Sequence, residues 1–232
     1  EGNTLAAASM LVAADEAGAN DPTLLLTAAR HYRALNMLEQ ARETYATVRR
    51  KYSRMPQALT AGIEETQVLY TMDRVAQAIS RMEDLLVTAS GGEQRLTVLL
   101  AAAEFYRDLG IPEKVVELSK QIAGLATDPQ TLAQTAIDLI DAGATEEARR
   151  VISRVDFSRV KNATAYSLLM KEGKALINVD PRRGLERMEQ AYLAYPEARL
   201  PEDEQDLIEA YLAADRPAAV RRSVMEKRAR AR

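Results

Sequence analysis

The chain has no cysteine and no tryptophan, and only one histidine, His31, among its 232 residues. Without cysteine there are no disulfides and no thiolate metal ligands. One histidine excludes a His pair for zinc and a relay between two imidazoles. Aromatics make up 5% of the chain, all Tyr or Phe. That scarcity, beside abundant Ala and Leu, suits close helix packing better than a β-sandwich. No apolar run approaches the roughly 18–20 residues that a bilayer-crossing helix needs. A net charge of only −3 argues against broad attraction to nucleic acid. The motifs GxxxxGKS/T and GxSxG are missing as well, which removes a phosphate-binding P-loop and a nucleophile elbow. The expectation is a non-catalytic chain with no cofactor.

What is present is a ladder of small or apolar residues at Ala7, Ala41, Ala78, Val115, Ala148 and Val220, spaced by 34, 37, 37, 33 and 72 residues. A period of roughly 34–37 residues marks a helical hairpin copied along the chain. Segment 21–56 displays the unit. Asp21 caps a helix that starts at Pro22, where a missing N–H costs nothing. Leu25, Ala28, Ala29 and Tyr32 form its apolar stripe, and Asn36 marks a turn that needs left-handed backbone. Leu38, Ala41, Tyr45 and Val48 then form the stripe of a second helix.

The same grammar recurs with turns at Asp73, Gly110, Gly143 and Asp215, and with helix starts at Pro112, Asp128-Pro129 and Asp180-Pro181. Thr145-Glu146-Glu147 reads as a capped start with carboxylates facing the positive end of the helix dipole. In the fifth unit Gly173 and Ala175 compete for the close-contact position. All eight prolines fall at expected helix boundaries and none inside a stripe, where proline costs about 3 kcal/mol. The expected units are a half repeat at 4–17, then 22–55, 57–89, 93–127, 129–157, 163–195 and 202–228.

These stripes, with Leu99, Ala102, Ala103, Tyr106, Gly110 and Val115, and with Leu132, Ala136, Gly143 and Ala148, resemble the tetratricopeptide repeat signature. Thr66 and Glu172 depart from it, standing where Gly or Ala is expected. The resemblance implies an all-α fold: a right-handed α-solenoid of five to six antiparallel helix hairpins whose first helices line a groove for a peptide or protein partner. Carried onto this chain, it puts Arg30, Arg33, Gln67, Tyr70, Glu104, Arg107, Ile137, Asp141 and Tyr166 on that partner-binding groove. The Lys/Asn clamp that chaperone-binding members use for a C-terminal carboxylate is not reproduced.

The half repeat lacks a first helix, so Leu5 and Leu11 are expected to form an apolar patch open to self-association or to further sequence. The chain starts Glu1-Gly2 without Met, and the expectation is a segment of a longer protein. Arg221, Arg222, Lys227, Arg228, Arg230 and Arg232 make its end locally basic. Arg outnumbers Lys 24 to 7. With the absence of Cys, this leans toward a bacterial envelope protein, similar in style to the periplasmic repeat regions of exopolysaccharide-export proteins. Two other classes stand beside the scaffold reading. One is a helical-repeat RNA-binding module, which needs a cationic inner face; Glu104, Asp108 and Asp141 oppose that. The other is the regulatory arm of an enzyme whose catalytic domain lies elsewhere.

Overall fold

Proline sets the helix starts. Pro22, Pro56, Pro112, Pro129 and Pro181 each occupy the first position of a helix, where their fixed φ fits and no N–H is needed. The computed structural model describes residues 2–216, and among these it is all-α. Its helices are α1 (Gly2–Ala14), α2 (Pro22–Ala34), α3 (Leu38–Lys51), α4 (Pro56–Thr71), α5 (Val75–Thr88), α6 (Gly92–Asp108), α7 (Pro112–Leu125), α8 (Pro129–Asp141), α9 (Thr145–Ile152), α10 (Asn162–Leu176), α11 (Pro181–Ala194) and α12 (Asp203–Ala213). Val220, the basic terminal residues and the second helix expected over 218–228 lie outside the described residues.

Four of the turns obey one rule. Asn36, Asp73, Gly143 and Asp215 all take positive φ, at 57°, 59°, 79° and 55°. In each case the next residue donates its N–H back over the helix end: Met37 to Tyr32 O, Arg74 to Leu69 O, Ala144 to Leu139 O and Arg216 to Tyr211 O, at 2.8–2.9 Å. This is a Schellman closure, which satisfies carbonyls that the helix end orphans. It also explains why Thr145 does not cap α9. The helix starts straight out of the closure at Ala144, with no side-chain cap, and Thr145 is already its first helical residue. At three of the proline starts aspartate does cap: Asp21 accepts from Thr23 N, Asp128 from Thr131 N and Asp180 from Arg183 N.

The chain divides into two compact units, Glu1–Gly110 and Ile111–Arg232, the break falling in the turn of the expected third hairpin. In the first unit each helix from α1 to α6 packs on the next, and α4 packs also on α2 and α6. Its core joins Leu25, Ala29, Ala41, Tyr45, Val48 and Val68. In the second, α7 packs on α8, α8 on α9 and α10, α10 on α11, and α11 on α12. Leu169, Leu185, Met188, Ala191 and Leu207 form a core there. Ala41, Ala78, Val115 and Ala148 of the ladder are buried. The first rung is displaced by one residue: Ala8 is fully buried while Ala7 is half-exposed. Three consecutive alanines give the sequence no side-chain contrast with which to set that register.

α1 continues into a π-type turn, Asp15–Ala19, broken by left-handed Gly18. Asp15 is buried; its carboxylate accepts from Tyr52 Oη at 2.5 Å and from Lys51 Nζ at 2.9 Å, tying the turn to the end of α3. Burial works to raise the Asp15 pKa. The bonds from Tyr52 and Lys51 and the charge of Lys51 outweigh it and leave the carboxyl below its ordinary value. A depressed folded-state pKa stabilises above the unfolded value, about 4, and that stability is lost as pH falls through the lower folded value. Acidification below about pH 4 should therefore loosen α1 ahead of the other helices. Hydrogen exchange of the α1 amides reads this, and Asp15→Asn should remove the pH dependence. Protection of α1 that stays constant through the acid range would refute the assignment. Leu5 is 40% and Met10 72% exposed, and Leu11 is half-buried. Among the described residues no helix is long and apolar enough to cross a membrane.

Candidate partner-binding face

The outward row of the first unit's first helices is wired together at the repeat spacing. Arg30 on α2 forks onto Glu64 on α4, Nε at 3.0 Å from Oε2 and Nη2 at 2.6 Å from Oε1. Arg33 Nη1 donates to Gln67 Oε1 at 3.1 Å, and both pairs are 34 residues apart. Between α4 and α6, Tyr70 Oη donates to the carbonyl of Asp108 at 3.4 Å. Glu64 receives a third bond, from Tyr45 Oη on α3 at 2.6 Å. Burial alone would raise its pKa, but the bonds from Arg30 and Tyr45 and the nearby arginine charges hold it below the usual carboxylate value. Burial pushes the Tyr45 hydroxyl up, helped by its bond to Glu64. The fork-to-fork geometry makes this pair more specific than an ordinary surface ion pair. Arg30 is thus committed to a neighbouring repeat.

Between α4 and α6 the row opens into a cleft of about 200 Å³, lined by Ile63, Gln67, Tyr70, Ala101, Glu104 and Phe105 among others. Tyr70 and Phe105 meet edge to face, ring centroids 5.8 Å apart at 85°, a favourable arrangement for two aromatic quadrupoles. Buried Met82 of α5 also lines the cleft. The structure therefore brings Gln67, Tyr70 and Glu104 together, with Arg33 held at Gln67. Arg107 is exposed on the same helix as Glu104.

The three candidates of the second unit lie differently. Asp141 is exposed and pairs with Lys171 of α10. Ile137 and Tyr166 are corrections to the expected groove. Ile137 is 6% and Tyr166 4% exposed, so neither offers surface to a partner. α8 is nearly enclosed, its Leu132, Ala133, Thr135, Ala136, Ile137, Asp138 and Leu139 all being buried. Tyr166 donates to buried Asp203 at 2.5 Å. Burial raises its pKa further than that bond does.

Sequence reasoning missed Glu64, Phe105 and Met82 on this face, whereas Asp108, which it set on the inner face with Glu104, does line the cleft. A signal existed for Glu64 alone: an acid one period after Arg30. It also missed a larger cleft of about 740 Å³ lined by Arg49, Arg54, Met55, Arg81, Leu85 and Val87 of the first unit. Beside it buried Glu65 accepts from Arg49 Nε at 2.8 Å and lies 3.4 Å from Arg81 Nε. Arg81 also bonds Asp84 at 3.0 Å, so these charges are answered from within. Among the described residues no group of three His, Asp or Glu side chains is placed to hold a metal ion. No protein-family model matches this chain, and no curated protein matches its sequence.

Proposed function

We propose that the chain is a non-catalytic scaffold, a right-handed α-solenoid of five to six hairpins that binds a peptide or protein partner along the exposed row of its first helices. One observation supports this above all. The row from α2 to α6 is pre-ordered by bonds between corresponding helices, Arg30 to Glu64, Arg33 to Gln67 and Tyr70 to Asp108, and still has an open cleft beside Tyr70. Groups held in place before binding lose little conformational entropy on binding, so a short segment can be held by few contacts.

The test is selection of displayed twelve-residue random peptides on the full chain, followed by fluorescence anisotropy with the enriched sequences. Arg33→Glu combined with Tyr70→Ala should weaken binding at least tenfold, while Glu83→Lys, exposed on α5, leaves it unchanged. Arg30→Glu is a poor probe, because it sets a second carboxylate against Glu64 and disturbs the fold. Peptides that bind all three proteins alike would place the binding surface elsewhere, and failure to enrich any peptide would count against a peptide-binding scaffold.

A further inference from the structure

The gap between α2 and α4 and the gap between α4 and α6 are built from corresponding positions, yet they are filled differently. In the first, Arg30 reaches across to Glu64 and closes the space. The α6 residue corresponding to Glu64 lies 37 residues on, the same step that separates Ala41 from Ala78, and it is Ala101. Its methyl group fills little, and the cleft opens over it. Further along α6, Glu104 and Asp108 stand one turn apart on the rim of the same cleft. Neither carboxylate has an ion pair or side-chain hydrogen bond to any described residue. Elsewhere the fold answers such positions itself: Glu64 has Arg30, and Asp141, the last residue of α8 as Asp108 is of α6, has Lys171.

We propose that this cleft receives the cationic side chain, arginine or lysine, of a bound peptide, so that the partner supplies the charge that Arg30 supplies one repeat earlier. This rests on the scaffold reading and narrows its partner to a segment with a basic residue. The size agrees: about 200 Å³ is below the roughly 300–1,000 Å³ of sites for whole small ligands and suits one long side chain. The walls agree too. Ile63, Met82 and the Tyr70–Phe105 pair offer apolar and aromatic surface to an aliphatic stem, and a cation over such rings gains further. Glu104 and Asp108 then meet the charged head. Gln67, its oxygen taken by Arg33, keeps its amide nitrogen as a donor for a peptide carbonyl. An anionic side chain would face two carboxylates, and a purely apolar one would desolvate them without a partner.

The probe is the capped tripeptide Gly-Arg-Gly titrated into the full ¹⁵N-labelled chain, with Gly-Lys-Gly beside it and Gly-citrulline-Gly as the uncharged isostere. Saturable shifts are expected at Gln67, Tyr70 and Glu104 to Asp108, with citrulline at least tenfold weaker. Glu104→Gln with Asp108→Asn should remove the preference for charge. Ala101→Leu should remove binding without altering any charge, its spectrum remaining native outside the cleft. Shifts that scatter over the acidic surface, match for arginine and citrulline, or persist in Ala101→Leu would overturn the proposal. The two readings fail separately. Selected peptides that lack a basic residue yet lose binding with Tyr70→Ala would sink this inference and leave the scaffold intact. Saturable tripeptide binding with no selectable longer peptide would do the reverse.

Discussion

Gly173→Ala is expected to destabilise the second unit by about 3 kcal/mol, a small change in composition with a large effect. A methyl group on Gly173 would run into Met188 Cγ and stand 2.8 Å from the carbonyl oxygen of Gly184. The contact is reciprocal: a methyl group on Gly184 would stand 2.8 Å from Gly173 O and 3.0 Å from Ile177 N. Both glycines are buried, so α10 and α11 cross backbone to backbone, and backbone cannot turn aside as a side chain can. Alanine raises intrinsic helix propensity by about 1 kcal/mol over glycine, which offsets only part of forcing the helices apart. Gly62→Ala is the control, since its nearest neighbours are side-chain atoms and not backbone: Leu85 Cδ2, a methyl end, at 2.7 Å and Arg49 Cδ at 3.3 Å. It should change stability by less than about 1 kcal/mol. Urea unfolding followed by circular dichroism separates the two, and equal effects at Gly62 and Gly173 would show that the α10–α11 contact is not decided by backbone.

This contact also illustrates what was legible in the sequence. Gly173 and Ala175 compete for one position on periodicity alone, because both are small. Only the approach of Gly184 from the facing helix decides for Gly173, and a pairing across helices leaves no mark in a single stripe. Features that depend on one residue's own backbone were readable. The prolines mark helix starts, and Asn36, Asp73, Gly143 and Asp215 mark left-handed turns, because few other residues tolerate those conformations. Features that depend on a partner residue were not. Arg30 has the pattern of a groove arginine and is spoken for by Glu64. Thr66, an apparent departure from the repeat, is fully buried and satisfies its hydroxyl by donating to Gly62 O at 3.0 Å, as a hydroxyl inside a helix can. Glu172, the other departure, lies 3.1 Å from Arg187 Nε. The candidate face was legible as a row on α2, α4 and α6. Its cleft was not, since a cleft records what Ala101 leaves unfilled.

Asp203→Ala should cost the second unit about 3 kcal/mol through unsatisfied polar groups rather than lost volume. Asp203 is 3% exposed. It accepts from Tyr166 Oη at 2.5 Å and from Leu200 N at 2.9 Å, and Lys174 Nζ approaches to 3.7 Å. Removing the carboxylate leaves the buried Tyr166 hydroxyl and the Leu200 N–H without their acceptor, each costing about 1–3 kcal/mol, with partial relief where water can enter. Tyr166→Phe should cost less, about 1 kcal/mol, because Asp203 keeps Leu200 and Lys174. Combined with Asp203→Ala it should add little, since the orphaned hydroxyl is gone; a double-mutant cycle should give a coupling of about 1–2 kcal/mol. The cycle distinguishes the two roles considered for this tyrosine. A surface contact for a partner would leave stability unchanged in Tyr166→Phe and weaken peptide binding, whereas a tie between α10 and the start of α12 does the opposite. Additive losses in urea unfolding, with no coupling, would remove the tie and reopen Tyr166 as a binding residue.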